Sequence, residues 1–288
     1  MEWNKAKDII IFFLVLLNIM LGVLLGINSR KYVSSIEQEK NIVEVLASNN
    51  ISMYCKIINQ YKPMKMLEFN GQIIDENKMV EAFLGTSNVI AGKEGDIKSY
   101  DHEGKSLLIF ENKVIFENLN ESEEIDLTNA QALKLCNEYL SGMGSMGTGY
   151  ELDLGPYMRE GELILEYRQK INGNVIYDNY FIFVVDNYGI RCVDYSNNMP
   201  IGYSAGAKEI CSSDEALFSF LQAMKRESAQ RPQRIVEKMD IVYFIDPAES
   251  DTIRAYPYYR IYYTEVGDPD NLVRLCMVNA YLNTWRLM

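Results

Sequence analysis

Residues 9–27 are nineteen in a row with no charge and a single strongly polar member, Asn18. At ~1.5 Å per helical residue such a run crosses most of a ~30 Å hydrocarbon layer, which sets it apart from an ordinary buried helix. A removable signal peptide is the competing reading. The run exceeds the usual apolar length of a leader, and Gly26-Ile27-Asn28-Ser29 makes a poor small-x-small cleavage site. The expectation is an uncleaved anchor: a cytoplasmic tail at 1–8, a transmembrane helix at 9–28, and all that follows outside the membrane. Charge gives orientation only weakly, because Lys5 and Lys7 on one side face Arg30 and Lys31 on the other.

The 288 residues carry a net charge of −12, which repels nucleic-acid backbones and anionic wall polymers alike. The best basic patch, Lys225, Arg226, Arg231, Arg234 and Lys238, is diluted by Glu227 and Glu237 and reads as a solvated helix end. Cys55, Cys136, Cys192, Cys211 and Cys276 form no CxxC pair and no cluster, so they read as small buried hydrophobes, with no disulfide framework.

Along the outer region, Ser35-x-x-Gln38 is a capping box for a helix over 36–47, unless that helix continues the membrane span outward. Strands are expected at 51–57 and 64–69, a turn at Asn70-Gly71 and a helix at 76–84. Strands at 106–111 and 114–117 follow, joined through Asn112-Lys113. Thr128-x-x-Gln131-Ala132-Leu133 and Ser212-x-x-Glu215-Ala216-Leu217 are two capping boxes 84 residues apart. The stripes Leu133, Cys136, Leu140 and Leu217, Phe220, Met224 correspond. Each helix precedes strands only: 150–154, 162–169, 175–185 and 190–194 after the first, and 235–244, 255–264 and 272–285 after the second. Asn172-Gly173 is a strong hairpin signal. The class is α+β, with an outer unit at 29–120 and tandem helix-plus-antiparallel-meander units at 121–204 and 205–288. Hairpin-length turns leave no room for the crossovers of a parallel sheet.

Few residues offer chemistry. Gly142-Met143-Gly144-Ser145-Met146-Gly147 fits G-x-G-x-x-G, but it ends a helix and leads into a strand, the reverse of a dinucleotide loop. It therefore reads as a C-terminal cap and linker. His102 is the only histidine and falls in an expected turn, without a neighbouring nucleophile or paired cysteine. Asp268-Pro269-Asp270-Asn271 lacks calcium-loop spacing and reads as a turn. No catalytic set, cofactor or metal is expected. On the tyrosine-rich stretch 256–263, alternation places Tyr256, Tyr258, Arg260 and Tyr262 on one face. That face is either a candidate recognition surface or an ordinary cross-strand ladder. In the apolar run, Asn18, Gly22 and Gly26 recur at four-residue spacing and form a candidate helix-packing face.

Met1-Glu2-Trp3-Asn4-Lys5-x-Lys7, followed by Phe13 to Ile19 with its Leu17-Asn18-Ile19, resembles the amino terminus of the YycI family. Glu2 departs from the family's usual aspartate. Val278-Asn279-Ala280-Tyr281-Leu282-Asn283 is similar to the ending of related domains but lacks their Gly-Glu. The resemblance implies a single-pass accessory regulator of a WalK-like (YycG) sensor histidine kinase, related to YycH and working with it, with most of its mass outside the cell. It implies no enzymatic activity. The alternative is an anchored domain that binds peptide or cell-wall fragments; an anchored hydrolase would have to work without a placed histidine.

Overall fold

The computed structural model describes residues 2–70, 74–111, 113–121, 124–125, 127–227, 232–245, 253–268 and 272–288. Near the amino terminus the described side chains are those of Trp3, Lys7 and residues 10–24. α1 (Glu2–Arg30) is one continuous helix, and every side chain described on it is exposed. Among the described residues no helix is long and apolar enough to cross a membrane.

α2 (Ile36–Ala47) begins at the expected box: the Gln38 amide donates to Ser35 Oγ at 3.2 Å, and the Ser35 amide to Gln38 Oε1 at 2.8 Å. Next come β1 (Ile51–Met53) and β2 (Leu67–Asn70), both shorter than their apolar patterns suggest. The segment between them spends its backbone bonds on scattered partners instead of a ladder: Ser34 N donates to Asn59 O, Tyr61 N to Tyr32 O and Met64 N to Lys208 O. α3 (Glu76–Leu84) is capped by Asp75 and stopped by Gly85 in the left-handed region. A meander of β3 (Ile90–Glu94), β4 (Ile97–His102), β5 (Lys105–Ile109) and β6 (Val114–Asn118) follows.

α4 (Asn129–Gly142) leads into β7 (Tyr150–Arg159), β8 (Glu162–Ile171), β9 (Asn174–Asp186), β10 (Gly189–Ser196) and β11 (Met199–Tyr203). α5 (Ser213–Glu227) leads into β12 (Arg234–Ile245), β13 (Arg254–Glu265), β14 (Arg274–Asn279) and β15 (Trp285–Leu287). Both expected starts carry a cap. At Thr128 the hydroxyl accepts the Gln131 amide, whereas at Ser212 the backbone amide donates to Glu215 Oε2. The turns at Gly71 and Asn112, the patch residue Arg231 and the Pro269–Asn271 part of the late turn lie outside the described residues.

The class is mixed α+β, with five α-helices among the described residues and an extensive, mainly antiparallel sheet. The expectation of wholly antiparallel pairing needs correction at two places. β1 runs parallel to β12 from Ile51↔Arg234 to Met53↔Val236, and β12 runs parallel to β9 at Val242↔Val175 and Tyr243↔Ile176. Short turns dictate how consecutive strands pair, and these partners are distant in sequence.

Packing divides the chain into two compact units made of interleaved segments. One comprises 1–64, 207–240 and 259–288; the other comprises 65–206 and 241–258. The segment 121–204 thus shares a unit with 65–120, while 205–288 is divided, β12 and β13 each giving one part to each unit. In the first unit, α5 buries Leu217, Phe220, Leu221 and Met224, with the Phe220 ring 5.3 Å from that of Tyr263. α2 adds Ile42 and Leu46. In the second, α3 and α4 supply Phe83, Cys136 and Leu140 to a core that includes Phe116, Phe181, Phe183 and Tyr195. Leu133, expected on the buried stripe of α4, is only half-buried and packs at the margin of that core.

Candidate functional site

α1 presents apolar side chains with nothing packed over them. Phe12, Phe13, Ile19 and Met20 are each about 60% exposed, a state that water penalises by ~25 cal/mol per Å2 of apolar surface. Asn18 is exposed on the same stretch, and a Cβ added at Gly22 would meet nothing within 4 Å. Gly26 falls outside the residues whose surroundings are described.

Immediately after α1 the chain is fastened to the rest of its unit. Lys31 Nζ pairs with Glu209 Oε1 at 2.6 Å, and Tyr32 donates its hydroxyl to the same oxygen at 3.2 Å. The ion pair holds the Lys31 ammonium above its usual range and the Glu209 carboxyl below its own. Tyr32 and Tyr61 meet edge to face at 6.3 Å, Tyr61 donates to Lys31 O, and Val33 bridges Gln60. α1 is thus joined to the rest of its unit by a clasp of these contacts.

In the same unit α2 and α5 flank an open groove of about 390 Å3. Its floor is Ile42, Val45 and Phe218; Gln38 and Asn41 stand on the α2 side and Asp214 and Glu215 on the α5 side, with Asn283 closing one end. The α2 members share one face because they fall at i, i+3, i+4 and i+7. Asp214 Oδ1 is shut off from solvent and accepts no hydrogen bond among the described residues.

The tyrosine strand has a different character from an open surface. Tyr258, Arg260 and Tyr262 are buried and Tyr256 is half-buried. The Arg260 guanidinium, fully enclosed, grips Asp240 through Nε–Oδ1 at 2.8 Å and Nη2–Oδ2 at 2.6 Å, and donates to the Tyr262 hydroxyl at 3.2 Å. A fork of this kind is the arrangement that makes a buried arginine tolerable. The face expected as a recognition surface is therefore covered.

A second buried arginine organises the other unit. The register of β8 against β9 shifts between Arg168 and Gln169, leaving extra residues on β9. Asn179 stitches this irregularity together, donating to Gln169 Oε1 and Asn198 O and accepting the Asn198 amide. The Arg168 guanidinium consequently lies 4.4 Å from the Tyr177 ring centre and 4.9 Å from that of Tyr180. Glu166 accepts from Arg168 Nη2 at 2.7 Å, and Asp153 stands 3.9 Å from its Nε. Asp178 accepts the Ile245 amide at 2.7 Å, yet burial pushes its carboxyl up to about 6 despite that amide and Arg168. These groups balance one another's charge inside the sheet and have the character of structural pairing.

No cysteine thiol is activated. All five cysteines are free; burial pushes the thiols of Cys136, Cys211 and Cys276 up to about 12 and that of Cys192 to about 11. His102 ends β4 beside the Glu103-Gly104 turn, half-buried, with Glu103 Oε2 at 3.7 Å. In the glycine-rich stretch, Gly144 adopts φ +58°, and a Cβ on Gly147 would meet Leu140 O at 2.1 Å. Both glycines serve the tight turn from α4 into β7.

The family profile described as YycI protein matches residues 30–281. That match begins at Arg30, the last residue of α1, so it is independent of the amino-terminal motif at 1–19. Among solved structures, an uncharacterised protein from Eubacterium rectale shares the fold at a TM-score of 0.51 and 11% identity, over 83% of this chain and 90% of that one. The Bacillus megaterium YpeB C-terminal domain aligns at 8% identity and a TM-score of 0.43, over 76% of this chain and 98% of that one. YycH from Bacillus subtilis aligns at 13% identity and 0.41, over 73% and 53%. No curated protein matches.

Proposed function

The chain belongs to the YycI family of two-component accessory regulators, and from that premise we propose that it is a membrane-anchored, non-enzymatic partner of a sensor histidine kinase. The observation that carries the reading is the family match over 252 residues, 30 to 281. In this reading α1 is the anchor, with its amino-terminal end cytoplasmic and both folded units outside the cell. The exposed apolar side chains of α1 are its lipid- and partner-facing surface.

The partners are a WalK-like kinase and a YycH-like sister protein. Asn18, Gly22 and Gly26 form the contact face: the glycines let two backbones approach, and the Asn18 amide bonds across the seam. The clasp formed by Lys31, Tyr32 and Tyr61 supports transmission, because a change in the outer unit would turn the helix instead of being absorbed in a slack linker. No step of bond chemistry is required of the chain.

The test is affinity capture of the full chain from solubilised membranes, with identification of what accompanies it. The reading expects the chain in the membrane fraction and the kinase and the YycH-like protein among its companions. A chain recovered from membranes without either of them would refute the partnership, and a chain that leaves the membrane in high salt would refute the anchor.

A further inference from the structure

The α2–α5 groove is not used by the function proposed above, and its chemistry is specific enough to name an occupant. We propose that it docks a cationic amphipathic helix of a partner protein. The inference goes beyond the kinase-accessory reading and does not depend on how α1 behaves.

Two features support it. The floor is apolar and open: Phe218 is 49% exposed and Val45 39%. α5 already buries Leu217, Phe220, Leu221 and Met224 beneath it, so Phe218 contributes nothing to that core. The rim is acidic: Asp214 and Glu215 line the groove, and no lysine or arginine does so among the described residues. A lysine or arginine beside an apolar side chain matches both the floor and this acidic rim.

A helix suits the groove better than an extended peptide. The walls are two helices whose backbone groups are already paired, so a strand laid here would find no ladder partner. A helix brings its own hydrogen bonds and lays an i, i+3, i+4, i+7 stripe along the floor, completing a three-helix arrangement. The open shape also favours protruding side chains over an enclosed small molecule.

The experiment uses the full chain in neutral maltoside micelles and a fluorescently labelled peptide of about 18 residues, leucine and lysine arranged on opposite helix faces. Fluorescence anisotropy should show saturable binding by the parent chain. Phe218→Ala and Asp214→Asn should each weaken it about tenfold. Glu81→Gln, which removes one exposed carboxylate from α3, should leave it unchanged and so controls for the overall negative charge. A leucine–glutamate peptide of the same pattern should not bind. Phe218 is exposed, so its truncation leaves the fold intact, and a thermal melt checks this. Affinity equal across all three variants, binding of the acidic peptide, or failure of the cationic peptide to bind would each overturn the proposal. So would self-association of the chain that Phe218→Ala abolishes, which would assign the groove to a second copy.

Discussion

Asp178→Asn should stabilise the protein at neutral pH, and the size of the gain follows from burial. The Asp178 carboxyl is pushed up to about 6 because desolvation of the charged form outweighs the Ile245 amide and Arg168. An unfolded aspartate titrates near ~4, so the two states differ by about two units, and at ~1.4 kcal/mol per unit the buried carboxylate costs about 3 kcal/mol. The sign follows from proton binding. Below pH ~4 the group is neutral in both states and the cost vanishes; above pH ~6 the folded state must hold a carboxylate and the cost is complete. Stability from this group is therefore lost as pH rises between those limits. Asparagine does not titrate, and its Oδ1 can still accept the Ile245 amide. The neighbouring Asp153, Glu166 and Asp194 are the same in parent and variant, so the difference between the two isolates Asp178. Urea unfolding of the full chain in neutral micelles, followed by the tyrosine near-ultraviolet signal, should show the variant ahead by about 1–3 kcal/mol at pH 7.5. The lead should shrink to about a third of that by pH 4.5 and fade below pH ~4. A variant less stable at pH 7.5 would mean that attraction to Arg168 outweighs burial, and the account of this cluster would be wrong.

Gly147→Ala should destabilise the second unit by about 3 kcal/mol, since the new methyl would collide with the Leu140 carbonyl; a thermal melt within one degree of the parent would contradict that geometry. Arg260→Met should cost about 2 kcal/mol by removing the fork to Asp240, a carboxylate that is partly exposed and keeps Lys238 Nζ at 3.7 Å. Adding Asp240→Asn should recover part of this loss, and a double variant no better than the single would argue against the pairing. His102→Ala should leave signalling output unchanged at matched expression, and loss of output in a stably folded variant would return catalysis or metal binding to consideration.

Local rules carried the reading of the helices well. Ser35 with Gln38 is a short-range device whose partners lie within one turn, so the sequence displays it directly. Asn172-Gly173 is equally plain, with φ of +51° and +80°. β3 and β4 left no such mark: β3 is exposed along its whole length and includes Gly92, so no alternation betrays it. The parallel pairings of β12 were hidden because they join segments far apart in sequence. Arg260 among tyrosines has the composition of an interface, and only the fold reveals Asp240 waiting beneath it. The α2–α5 groove did leave a trace. Phe218 lies off the Leu217, Phe220, Met224 stripe, and Gln38, Asn41, Ile42 and Val45 form a half-apolar stripe of their own. That either stripe stays uncovered follows from tertiary packing alone.

The central claim is that α1 joins the kinase or its sister protein through one face. Gly22→Leu with Gly26→Leu keeps the helix apolar while holding a partner backbone away, a loss of about 1–2 kcal/mol or roughly tenfold in association. Val23→Leu with Leu24→Phe adds bulk to the same turn on another face. Quantitative co-capture from membranes at matched expression should fall about tenfold for the glycine pair and stay at the parent level for the control pair. Equal recovery from all three chains would make α1 a plain anchor and move regulation to the outer units.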